Sequence, residues 1–185
     1  MRTKKFINIV LASLFLIPLS GFAKNDQGGG NHYVFRLFGT GTAYENMVPD
    51  GSGGEMAALC FDVNLMDLKN RQVVGTAIDC LSEIVDVGGN IDLIGTTFFN
   101  LPRGTLITQG LTSVRPARPG TETDVGPITH ITGAASTGNA IIDGTKRFTG
   151  ATGTARLSGM VNLAVFGGAA GTDITFDCIF DISLD

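Results

Sequence analysis

Ile174-Thr175-Phe176-Asp177-Cys178-Ile179-Phe180-Asp181-Ile182-Ser183-Leu184, near the end of the 185-residue chain, decides the fold class. Ile174, Phe176, Cys178, Phe180, Ile182 and Leu184 fall on one side of a pleated backbone, and Thr175, Asp177, Asp181 and Ser183 on the other. Successive side chains of a strand point to opposite faces, so this alternation predicts a strand with one buried face. Further back, Leu59, Phe61, Val63 and Leu65 alternate with Cys60, Asp62 and Asn64 in the same way. Strand character also runs through 34–38, 72–85, 91–101, 105–114, 128–142 and 155–166.

Turn chemistry separates these runs: 67–70, Gly88-Gly89-Asn90, Pro102-Arg103-Gly104 and Asp143-Gly144. Two longer stretches, 40–55 and 112–126, read as irregular connections. No window past the first twenty or so residues keeps a helical period. The chain is therefore expected to be mostly antiparallel β, with about eight strands, which suits a closed barrel or a sandwich. Closure would remove exposed strand edges, which matters where only 16% of residues are charged to guard them.

Composition excludes several classes. With 43% hydrophobic residues and a net charge of -4, the chain has neither the low hydrophobicity nor the high charge of a disordered protein. It lacks the Glu, Lys, Ala and Leu enrichment of a coiled coil. A basic nucleic-acid surface is not expected from an acidic chain.

Residues 1–23 read as a secretory signal peptide. Arg2, Lys4 and Lys5 supply the positive start, and 7–17 an apolar stretch interrupted only by Asn8 and Ser13. That stretch is shorter than the roughly 20 residues that span a bilayer. Gly21-Phe22-Ala23 places small residues where the leader would be cut. The expectation is an exported protein, periplasmic or extracellular, with no membrane association once the leader is removed. Residues 24–31, with Gly28-Gly29-Gly30, read as a flexible lead-in, and 32–185 as a single β domain.

Two segments go beyond pattern. The run Gly144-Thr145-Lys146-Arg147-Phe148-Thr149-Gly150-Ala151-Thr152-Gly153-Thr154-Ala155-Arg156-Leu157 resembles the signature of plant allene oxide cyclases, and dirigent proteins carry a looser version. Met56-Ala57-Ala58-Leu59-Cys60 is similar to the start of a cyclase barrel strand, and Ile107-Thr108-Gln109-Gly110 is a weaker third match in the same order. The resemblance implies an eight-stranded antiparallel barrel with a central cavity, often a trimer. It also implies a lumen that takes a small apolar or amphipathic molecule. The residues of the dense motif have their own physical reading. Asp143-Gly144 fits a tight turn with positive φ, Phe148 fits a plug at the barrel end, and Gly150, Ala151 and Gly153 stay small where chains approach closely.

The chemistry departs from that family. Its first-strand glutamate is missing here: Tyr33 is followed by Val34, Phe35 and Arg36, with no acid before Glu45. Cys60 does match a family cavity cysteine. The leading expectation is binding in the lumen, with Tyr33, Arg36, Cys60, Asp62, Asn64 and His130 as candidate ligand contacts. An isomerase or cyclase of an unsaturated substrate, and a structural or interaction barrel without ligand, remain as alternatives. Arg36 and Arg156 either face solvent or enter the lumen to orient an anionic group. Asp62, Asp79, Asp177 and Asp181 alternate with apolar residues and read mostly as solvated outer positions. Asp50-Gly51-Ser52-Gly53-Gly54 reads as a loop, because a nucleophile elbow needs a strand-turn-helix context. No cofactor and no metal are expected, since His32 and His130 have no second ligand at metal spacing.

Cysteines carry the last expectation. In an oxidising compartment, two of Cys60, Cys80 and Cys178 should pair. Cys60 and Cys80 lie symmetrically about Asn70, the middle of an expected hairpin, so Cys60–Cys80 is one pairing. A pair involving Cys178 is the competitor.

Overall fold

A computed structural model describes residues 32–116, 122–123, 126–127, 129–133, 139–161, 166 and 168–185. The expected leader (1–23) and lead-in (24–31) lie outside the described residues. The chain is all-β. Its strands are β1 (His32–Thr42), β2 (Tyr44–Pro49), β3 (Glu55–Asp67), β4 (Gln72–Asp86), β5 (Ile91–Leu101) and β6 (Gly104–Pro116). They continue as β7 (Glu122–Thr123), β8 (Gly126–Pro127), β9 (Thr129–Gly133), β10 (Asn139–Gly144), β11 (Gly153–Val161) and β12 (Asp173–Leu184). Among the described residues, a single 3-10 turn, Lys146–Phe148, interrupts them.

Ten strands form one antiparallel sheet, and β7 and β8 pair separately. The hydrogen-bonding path runs β1-β12-β11-β10-β6-β5-β4-β3, and β3 then pairs back onto β1, from Phe35↔Asp67 to Phe38↔Asn64. The path therefore returns to its start as a ring. β9 sits between β6 and β11, and β2 pairs with β3 beyond its contact with β1.

The alternation that decided the fold class also sets the ring's inside. Phe176, Cys178, Phe180 and Ile182 of β12 are fully buried, as are Phe61 and Leu65 of β3. Their rings pack edge to face: Phe61 against Phe176 at 5.3 Å between centroids, and Phe99 against Phe180 at 5.1 Å. Phe35 stacks on Phe99 at 5.9 Å. Burying each such ring contributes about 1.5–3 kcal/mol, and the paired geometry adds to it.

Several expectations need correction. The stretch 40–55 is not irregular throughout, because it holds β2. Strand β3 is longer than the alternating run and begins at Glu55; its first four residues pair with β2 and not with β4. The β2–β3 hairpin therefore leaves the ring and covers its outer side. There Val48, Ala58, Cys60 and Cys80 form a second buried cluster, flanked by Tyr44, Met56, Ile78 and Phe98. Gln109 of β6 holds the hairpin tip, donating from Nε2 to the Pro49 carbonyl and to Thr96 Oγ1. Within 112–126, β6 continues to Pro116, and the expected strand 128–142 is two strands, β9 and β10.

The glycine-rich motif forms the β10–β11 connection. Phe148 is buried and lies edge-on to Tyr33 at 6.2 Å, closing one end of the interior. The positive φ expected at Asp143-Gly144 occurs instead at Lys146 (53°), Gly150 (72°) and Gly153 (141°). Gly144 is needed for closeness: a Cβ there would collide with the Phe148 carbonyl. Ala151 packs against the core, and its N–H donates to the Phe148 carbonyl at 3.0 Å.

Candidate functional site

Strand β4 carries the unexpected residue. Asp79 points to the same side as Ala77 and Leu81, both members of the central core, and is only 4% exposed. This corrects the expectation that Asp79 is a solvated outer position. Thr97 of β5 sits directly opposite it and donates a 2.6 Å hydrogen bond from Oγ1 to its carboxylate. Thr108 of β6 is next in the same row, opposite Thr97. The Oγ1 atoms of Thr108 and Thr112 are buried without a hydrogen-bond partner among the described residues. An acid and three hydroxyls thus line the inward face of β4, β5 and β6, in an interior whose other buried residues are apolar.

Burial disfavours the ionised form of Asp79 and pushes its carboxyl up to about 7, against the opposing effect of the Thr97 hydrogen bond. Cys178 is a free, buried thiol. Burial pushes it well above its usual value, and the neighbouring Asp79 and Asp177 add to the rise. It is a small core residue and not a nucleophile.

A groove of about 730 Å3 opens where the β2–β3 hairpin leaves the ring. Its walls include Met47, Ala57, Leu59, Leu81, Ile84 and Ala169. Glu45 and Glu83 also line it. Glu83 adopts φ 50° at the bulge where the β4–β5 pairing shifts between Ser82 and Val85. Leu81 belongs both to this wall and to the central core. Met47 and Ile84 remain 50% and 39% exposed. Neither Asp79 nor the groove was expected. Both faces of β4 around Asp79 carry apolar residues, with Ala77 and Leu81 on one side and Ile78 and Cys80 on the other, so alternation gave no inside or outside.

The expected contacts do not converge. Tyr33 is half-buried at the end of the interior, stacked on Phe35 at 5.5 Å. Arg36 lies on the outer face, donating from Nε and Nη2 to Asp177 at 2.8 and 2.6 Å, with its guanidinium 5.2 Å from the centre of the Phe38 ring. Hydrogen bonding from Arg36 holds the Asp177 carboxyl below its usual range. The pair is about two-fifths exposed, so it adds little stability. Asp62 and Asn64 are exposed, on the face opposite Phe61 and Val63. Cys60 lies beneath β2, bonded to Cys80 at its direct register partner. Arg156 is exposed, and His32 pairs with Asp181 at 2.6 Å on the surface. His130 takes the register position opposite Arg115 in β9, and its side chain lies outside what is described.

The Asp50–Gly54 segment is a loop, as expected. The Asp50 carboxylate accepts from the Ser52 N–H, the Ser52 hydroxyl and the Gly54 N–H at 2.7, 2.9 and 2.9 Å, and these bonds lower its pKa. Among the described residues, no three His, Cys, Asp or Glu side chains gather to hold a metal ion. The Cys60–Cys80 disulfide is of the kind that persists in oxidising compartments. No protein-family model matches the chain, and no curated protein does.

Proposed function

We propose that this chain is an exported eight-stranded barrel, of the type found in allene oxide cyclases and dirigent proteins, that binds a small amphipathic molecule. The ring β1, β12, β11, β10, β6, β5, β4 and β3 supports the barrel. The motif turn around Phe148 supports the family, and the leader-like residues 1–23 with the disulfide support export.

The observation that carries binding is the groove of about 730 Å3 at the end of the ring. That volume lies within the roughly 300–1,000 Å3 of small-molecule sites. Its apolar walls suit a hydrocarbon or ring body, and Glu45 and Glu83 suit a head that donates hydrogen bonds. The groove is favoured over the lumen because Phe61 and Phe176, and Phe99 and Phe180, pack ring against ring in the interior. The isomerase alternative rests on the family resemblance and on Cys60, whose sulfur is bonded to Cys80. At 4% exposure Asp79 has no path to a substrate in this state, so binding without turnover is preferred.

Native mass spectrometry of protein taken from its own host tests the reading. The expected result is a co-purifying small molecule that is lost in Ala57→Trp, where the indole fills the groove. A ligand-free parent protein, or a ligand retained by a folded Ala57→Trp variant, would overturn it.

A further inference from the structure

We infer that Asp79 makes the interior a proton-operated switch: tight while its carboxyl is neutral, loosened along β4, β5 and β6 when it ionises. The geometry offers an ionised Asp79 almost nothing. It has one hydrogen bond among the described residues, from Thr97 on β5. On its other side β3 presents Phe61. From across the ring β12 presents Cys178, a neutral thiol. The remaining inward-facing residues of β1, β6, β10 and β11 that are described are apolar, hydroxyl-bearing or glycine, apart from Tyr33 at the far end. Among the described side chains, no Lys, Arg or His faces Asp79, so a buried carboxylate would stand uncompensated.

The same row shows where relief would come from. Thr108 and Thr112 hold buried hydroxyls with no partner among the described residues. An internal carboxylate drawing in water would engage them, at the cost of close packing between β5 and β6. Leu81, the next inward residue of β4, lines the end groove, which sets the route for that water.

Burial raises the Asp79 carboxyl from its usual 3.8 to about 7. The unfolded chain releases this proton near 3.8 and the native chain holds it to about 7, so between them the native state binds one proton more. Stability then falls as pH rises, by about tenfold in the folding equilibrium per pH unit, and the full loss is in place above about 7. Asp92 and Asp177 act in the opposite sense. Their lowered pKa values give stability that is present above the usual carboxylate range and lost as pH falls through it.

Denaturant unfolding of the oxidised protein between pH 4.5 and 8, beside Asp79→Asn, tests the switch. The amide keeps an acceptor for Thr97 and cannot ionise. The parent should lose on the order of 100-fold in its folding equilibrium from pH 5 to 7.5, with amide exchange in β4, β5 and β6 accelerating beyond its intrinsic pH dependence. Asp79→Asn should be nearly flat in both. Parallel pH profiles for the two proteins would overturn the inference. Carbon-13 NMR titration of the parent carboxyls keeps it testable if Asp79→Asn does not fold. One carboxyl should titrate between about pH 6 and 8, and complete titration of all of them below pH 5 would sink it.

Discussion

Gly153 shows how much one position can carry. Its φ of 141° is closed to most L-residues, and a Cβ there would run into the Ser183 carbonyl of β12. Gly153→Val should therefore destabilise by roughly 1–3 kcal/mol from overpacking, with backbone strain added. The thermal midpoint should drop by about 5 °C or more, and Gly153→Ala should fall in the same direction. A Gly153→Val protein that melts with the parent would contradict the register of β11 on β12. This glycine was legible in the sequence, because a motif of small residues around Phe148 announces a close approach. Asp79 was not. Alternation separates faces only where one face is polar, and β4 is apolar on both sides of Asp79: the ring interior takes one face and the β2–β3 hairpin covers the other. The candidate ligand contacts on β3 lie on the face turned away from the ring interior, for a related reason. Cys60, Asp62 and Asn64 share a face, and nothing in the strand itself says which face turns inward.

At the scale of elements, the β2–β3 hairpin is the least legible part. Tyr44-Glu45-Asn46-Met47-Val48-Pro49 has no clean alternation, and it becomes a strand because the edge of β3 beyond β1 is free to pair with it. Two devices hold the hairpin on the outer face: Cys60–Cys80 at its base and Gln109 at its tip. The disulfide closes a sequence separation of 20 residues, for which chain entropy gives about 3 kcal/mol. Cys80→Ser should lower stability by that order in denaturant unfolding and speed proteolysis within 44–58. Equal stability and equal proteolysis would remove the disulfide from this role. Gln109→Ala leaves the Pro49 carbonyl without its donor and should cost about 1 kcal/mol, with faster amide exchange confined to 48–56. Exchange that rises uniformly over the sheet would show that Gln109 supports the ring and not the hairpin.

For the molecule as a whole, strand type and approximate number were readable from alternation and turns, whereas the ring was not. Closure joins β1 to β12, with Tyr33 opposite Ile182, and β1 to β3 through only four register pairs. Such long-range pairings leave no local mark in the chain. The ring also fixes the balance between filling and binding. Removing Phe180, fully buried against Phe99, should cost about 3–5 kcal/mol as Phe180→Ala, read as a loss in denaturant midpoint. A small loss would mean that the interior holds space the packed rings do not use. Export belongs to this scale too: a chain lacking 2–23 should fold and stay inside the cell, and its secretion would contradict the leader. The most direct test of the binding account is a crystal structure of the protein isolated from its own host. The account predicts density for one small molecule in the end groove, between Met47, Leu59, Leu81 and Ala169, with the interior around Phe99 and Phe180 filled by side chains. An empty groove, or a ligand seated among those rings instead, would contradict it.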